Sequence, residues 1–152
     1  MKTRNIFLAL IFAALAAVSC QKDTGDTTKP VIDLDEPEEG QELLIGGVNG
    51  VHFEMDVTDN AGLGSYKIEI HNNFDGHGHS KASETTVDFS FNKEYDLGGK
   101  KNAHIHHHDI KIPANATPGN YHLMVYCTDA AGNEAYVARN IVLSLTAEED
   151  ED

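Results

Sequence analysis

Nine histidines are the residues of this 152-residue chain best equipped for chemistry: His52, His71, His77, His79, His104, His106, His107, His108 and His122. Seven of them fall into two clusters, 71–79 and 104–108. Neutral imidazole is the commonest protein ligand for Zn²⁺, Cu²⁺ and Ni²⁺. Two His at i and i+2 on a strand point the same way, roughly 6.5–7 Å apart along the chain. Both rings can then converge on one ion, with further ligands from a neighbouring strand or loop. His104-Ile-His106 and His106-His-His108 each contain this pair, and His77-Gly-His79 offers it beside a glycine that lets the loop adjust. The donor set is imidazole and carboxylate without an available thiolate, which favours Zn²⁺, with Cu²⁺ next.

Other chemistries have less behind them. There is no His-Glu-x-x-His segment and no Gly-x-Ser-x-Gly elbow, so nothing supplies the base or nucleophile of a familiar hydrolase, and the chain is not expected to be an enzyme. Cys127 sits in an apolar run and reads as a small buried hydrophobe. Asp59 and Asp129 lie in turns that meet at one end of the expected fold and could share a Ca²⁺, although turn chemistry already accounts for both. Clustered exposed His could also form a patch that becomes cationic near pH 6. His52 reads as a solvent-facing strand residue.

The elements that must position these groups are strands. Val51, Phe53, Met55 and Val57 alternate with His52, Glu54 and Asp56; Tyr66, Ile68 and Ile70 alternate with Lys67, Glu69 and His71. Val87, Phe89 and Phe91 alternate with Asp88 and Ser90, and Tyr121, Leu123, Val125 and Cys127 with His122, Met124 and Tyr126. A period of two gives each strand one core face and one solvent face, as antiparallel sheets allow. The reading is an all-β, Ig-like or fibronectin III-like antiparallel sandwich of about seven strands, near 31–35, 51–58, 65–71, 86–91, 104–112, 121–128 and 136–145. Tyr121 follows Pro118-Gly-Asn120, which resembles the tyrosine corner of Ig-like sandwiches.

Strand 104–112 carries a conflict: Ile110 and Ile112 share parity with His104, His106 and His108, while Ile105 does not. A bulge near residues 107–109 resolves it and sends His104 and His106 outward. In an Ig-like sandwich the third and fifth strands belong to opposite sheets, whereas the third and sixth pair. The favoured metal constellation is therefore His71, His77, His79 and His122. His104, His106 and His108 join it only if the loop at 72–83 wraps over an edge, and otherwise form a second site. Asp75 and Asp109 are the carboxylates expected to orient the rings by hydrogen bonds.

The ends of the chain carry an address. Lys2 and Arg4 precede an unbroken apolar run of 13 residues, 6–18, too short to span a bilayer and suited to a signal peptide. Residues 15–20, Leu-Ala-Ala-Val-Ser-Cys, resemble a bacterial lipobox. The expectation is a signal peptide at 1–19, a lipid on Cys20 and a flexible tether over 20–29. The sandwich domain then fills 30–146, followed by an acidic, disordered tail at 147–152. Lys22 and Asp23 resemble an export signal for the outer leaflet, giving an outer-membrane lipoprotein of the cell envelope, exposed at the surface. The chain holds 11 Lys+Arg against 25 Asp+Glu, a net charge of −14. Removing the signal takes Lys2 and Arg4 and leaves (11 − 2) − 25 = −16. Such an acidic surface excludes nucleic acid, whose phosphates need clustered Lys and Arg.

The stretches 57–62 (Val-Thr-Asp-Asn-Ala-Gly), 71–79 (His-Asn-Asn-Phe-Asp-Gly-His-Gly-His) and Tyr121-His122 through 128–133 (Thr-Asp-Ala-Ala-Gly-Asn) resemble a family of Ig-like lipoproteins of Bacteroidota-type bacteria. That family is known only as domain of unknown function 4625. The resemblance covers residues 30–145 and implies the fold and export, but no activity. The functional expectation is an envelope lipoprotein that binds a transition metal, for capture, sensing or delivery to an uptake partner in the outer membrane or a surface complex. The alternative is a structural or adhesive module that binds glycan or protein without metal.

Overall fold

Eight strands satisfy the period-two alternation by stacking two sheets face to face. In the computed structural model, which describes residues 25–73 and 85–149, they are β1 (Val31–Glu36), β2 (Glu42–Leu44), β3 (Val51–Thr58), β4 (Leu63–Asn72), β5 (Phe91–Asp96), β6 (Asn102–Ile110), β7 (Gly119–Asp129) and β8 (Glu134–Ser144). One sheet has the order β1-β3-β6 and the other β2-β8-β7-β4-β5. The expected all-β sandwich is present, and there is no helix among the described residues.

Between the layers lie the inward positions of each alternating run. Phe53, Met55 and Val57 of β3, with Ile105 and Ile110 of β6, face Ile68 and Ile70 of β4, Leu123, Val125 and Cys127 of β7, and Ile141 and Leu143 of β8. Removing these side chains from water is the main driving force for folding, roughly 1.5–3 kcal/mol for each large aliphatic. Cys127 is fully buried, and burial, with Asp59 and Asp129 adding to it, pushes its thiol up to about 11. At that value it is a protonated, inert core residue.

Three expectations need correction. The described residues form eight strands, one beyond the seven spans expected, because β2 adds a short ladder on β8 that is parallel, not antiparallel. Its apolar content is Leu43 and Leu44, too short to display a period. The fourth expected strand, 86–91, lies instead at Phe91–Asp96, paired with β4. Val87 is 59% exposed and makes only an isolated bridge to Ala116, while Phe89 tucks against Tyr121. Alternation favours an extended run here, yet among the described residues no strand pairs with it beyond that single bridge.

Tyr121 locks that segment in place. Its buried hydroxyl donates to the Thr117 carbonyl at 2.8 Å and accepts from the Phe89 amide at 3.2 Å, which is the expected tyrosine corner. Tyr121→Phe keeps the ring and strands both backbone groups. It is expected to cost about 1–3 kcal/mol, read as a lower urea midpoint at unchanged slope; a loss below about 0.5 kcal/mol would show the corner to be incidental.

Candidate metal centre

β3 and β6 run antiparallel, with Glu54 opposite His106, Met55 opposite Ile105 and Asp56 opposite His104. Phe53 faces His107 and Val51 faces Ile110, so two residues of β6, His108 and Asp109, oppose the single residue His52. This is the expected β-bulge. Below it Ile105 and His107 turn inward; above it Ile110 and Ile112 do. His104, His106 and His108 are left on the outer face.

The bulge is held from both sides. Gly50, at φ 88°, lies so close under it that a Cβ there would stand 2.5 Å from the His108 carbonyl oxygen. On the inner side His107 stacks on Phe53 at 5.0 Å and on Tyr95 at 5.1 Å, and Tyr95 stacks on Tyr66 at 4.5 Å. These rings come from both sheets, β3 and β6 on one side and β4 and β5 on the other. Burial lowers the His107 pKa and keeps the ring neutral, and its Nδ1 accepts the Asp109 amide at 3.3 Å.

On the outer face three imidazoles meet. His52 and His106 have ring centroids 4.8 Å apart, His52 and His108 5.2 Å, and His106 and His108 5.5 Å. One ring nitrogen of each lies within 4.8 Å of the other two. Two nitrogens bound to one Zn²⁺ at ~2.1 Å stand ~3.4 Å apart in a tetrahedron. Closing the triad therefore takes shifts of roughly 1 Å, within the reach of side-chain rotation on a fixed strand pair. Glu54 flanks the group, its Oε2 3.3 Å from His52 Nε2 and its Oε1 3.5 Å from His104 Nε2. A carboxylate on one imidazole nitrogen fixes the tautomer and leaves the other for a metal.

The remaining candidates are placed elsewhere. His104 stands next to the triad but between carboxylates, with Nδ1 3.1 Å from Asp56 Oδ1. Asp109, expected to orient the rings, instead accepts from Lys93 Nζ at 2.6 Å and from the Tyr95 hydroxyl at 3.0 Å. The bulge turns it toward β5, and those two donors hold its carboxyl below the usual range. His71 and His122 are cross-strand partners on β4 and β7, edge to face at 5.5 Å, and Asn73 Nδ2 lies 2.7 Å from His122 Nε2. They belong to the other sheet, so they form no single site with His106 and His108. His77, His79, Asp75 and Cys20 lie outside the described residues.

His52 is the member that reading strand by strand passed over. Its signal was its outward parity on the second expected strand, which in Ig-like sheets lies beside the fifth.

A family model described as "Domain of unknown function (DUF4625)" matches residues 18–144. No curated protein matches the chain.

The inward and outward histidines should separate in stability. His107→Ala empties a place in the ring stack and is expected to cost about 2–4 kcal/mol. His106→Ala on the exposed face should stay within about 0.5 kcal/mol. Chemical denaturation of the two metal-free variants checks this, and equal losses would contradict the assignment of faces.

Proposed function

The chain belongs to the DUF4625 family, domains of unknown function, and we propose that its sandwich binds a transition metal through His52, His106 and His108. The observation that carries this reading is the convergence of three ring nitrogens within 4.8 Å on the outer face of one strand pair. Zn²⁺ is the leading ion and Cu²⁺ the next, because the donors are imidazole and carboxylate. Three nitrogens leave a coordination position for Glu54, for water or for an incoming ligand. A site that is open to solvent and short of a closed set of four protein ligands suits capture and release better than a structural role. The net charge of −14 and the neighbouring carboxylates of Glu54 and Asp56 raise the local concentration of cations.

The lipobox-like residues 15–20 support placing this binder on the outer membrane of the cell envelope, tethered by a lipid on Cys20. There it would capture or sense the ion, or pass it to an uptake partner. Binding rather than turnover is the proposed activity.

The test uses untagged full-length protein in mild detergent, stripped with a chelator and titrated with Zn²⁺ by calorimetry. One equivalent is expected, weakened at least about tenfold by His52→Ala and abolished by the His106→Ala/His108→Ala pair. His71→Ala/His122→Ala should leave it unchanged. No uptake at about 10 µM Zn²⁺, or uptake lost only with His77→Ala and His79→Ala, would sink this site. The first result would leave the adhesive reading standing.

A further inference from the structure

Three carboxylates from three separate segments meet at the other end of β3. Asp26 precedes β1, Asp59 follows β3 and Asp129 closes β7, and one oxygen of each lies within 4.8 Å of the other two. Asp59 is 59 − 52 = 7 residues beyond His52, roughly 23 Å along an extended strand, so this cluster is separate from the imidazoles.

Local donors satisfy only part of it. Asp59 Oδ1 accepts the amides of Ala61 at 2.8 Å and Gly62 at 2.6 Å. Asp129 accepts the Asn133 amide and side chain, both at 2.7 Å. Asp26 Oδ1 accepts from Thr28 N–H at 3.0 Å and Asn60 Nδ2 at 3.1 Å. The second oxygens of Asp59 and Asp26 are buried and have no donor among the described residues. Asp59 is only 9% exposed, so its Oδ2 has lost water and gained nothing in exchange. A buried carboxylate oxygen without a partner is a costly arrangement unless a cation supplies one.

No Lys or Arg pairs with these carboxylates among the described residues; Lys101 gives its Nζ to the Asn60 carbonyl at 2.9 Å instead. Burial raises the Asp129 pKa, but donors from Asn133, Gly132 and Ala131 outweigh it and keep the group ionised. Beside the cluster a cleft is lined by Gly25, Asp26, Ala61, Ala130 and Ala131, whose small side chains leave an approach from solvent.

We propose that Asp26, Asp59 and Asp129 form a Ca²⁺ site that pins the segment before β1 to the β3–β4 and β7–β8 loops. The donors are all oxygen, which selects a hard cation. Ligands drawn from three separate segments, two of them loops, suit the adjustable six-to-eightfold shell of Ca²⁺ better than the rigid octahedron of Mg²⁺. Carbonyl oxygens and water would complete the shell. Because Asp26 belongs to the stretch that joins the domain to everything N-terminal of it, the ion would fix the direction in which the chain leaves the sandwich.

Untagged full-length protein in mild detergent, stripped with EGTA, is titrated with Ca²⁺ by calorimetry and followed by thermal melting and hydrogen exchange. One Ca²⁺ per chain is expected, with a Kd in the range of roughly 10⁻⁵–10⁻³ M found for weak sensors and extracellular modules. The melting temperature should rise, and exchange over residues 25–29 should slow. Asp26→Asn is expected to weaken binding at least about tenfold without lowering the Ca²⁺-free melting temperature, since it removes one of three mutually repelling charges. Asp129→Asn should weaken it as well; if that variant does not fold, Asp26→Asn decides. His52→Ala should bind Ca²⁺ like the parent. No heat and no thermal shift at about 10 mM Ca²⁺ would overturn the proposal. So would binding that survives Asp26→Asn and vanishes when residues 148–152 are deleted, which would assign the ion to the acidic tail.

Discussion

One extra residue in β6 decides what this surface can do. Ile105, His107, Ile110 and Ile112 all face the core, yet a strict period of two cannot send both Ile105 and Ile110 the same way. Without the bulge, either Ile110 and Ile112 go to solvent, or His104, His106 and His108 go to the core and Ile105 to solvent. Each buried isoleucine is worth roughly 1.5–3 kcal/mol, and a polar ring buried without a partner costs a similar amount. Inserting one unpaired residue at His108–Asp109 is the smaller penalty. The same irregularity sets His108 opposite His52, beside His106, so packing of the core and placement of the imidazoles are one event.

The ring stack behind the bulge makes this placement stiff. His107 sits between Phe53 and Tyr95, and Tyr95 holds Asp109 through its hydroxyl. Asp109 is thereby drawn toward β5 and Lys93, away from the outer imidazoles. A carboxylate that sequence spacing places beside the histidines is thus used to tie the two sheets together. Glu54, one strand over, takes its place next to the rings. The three imidazoles stand on paired strands rather than on a loop, which keeps their backbones fixed, so a metal there would ask only for side-chain rotation.

Most of the architecture was legible in the sequence because it depends on local rules. Alternation marked the strands, Tyr121 after Pro118-Gly-Asn120 marked the corner, and the parity clash between Ile105 and Ile110 marked the bulge. What escaped depends on partners distant in the chain. The run at 86–91 alternates as well as any strand, but the partner β4 is reached only from Phe91 onward. β2, with its three residues, exists because β8 offers an edge. His52 looked like an ordinary outward residue until β6 was laid beside it, since the property that matters belongs to the pair of strands. Asp26 escaped for the same reason: nothing in residues 25–29 announces that they return to the β3–β4 and β7–β8 loops.

The two clusters also differ in what they ask of the fold. The core of β3, β4, β6, β7 and β8 is apolar and fully buried, so the sandwich has a source of stability that involves no ion. The imidazoles stand on its outer face, where gain or loss of a metal would change solvation and a few rotamers but no packed contact. Binding there need not be coupled to folding, unlike a small domain that exists only around its zinc. The carboxylates are different, because Asp59 is buried and carries an oxygen with no donor. A cation at that end would relieve a penalty built into the loops and stiffen the junction with the preceding segment. An imidazole face open to exchange and an all-oxygen end that would order the junction are compatible on one sandwich, since β3 holds the two clusters a strand's length apart.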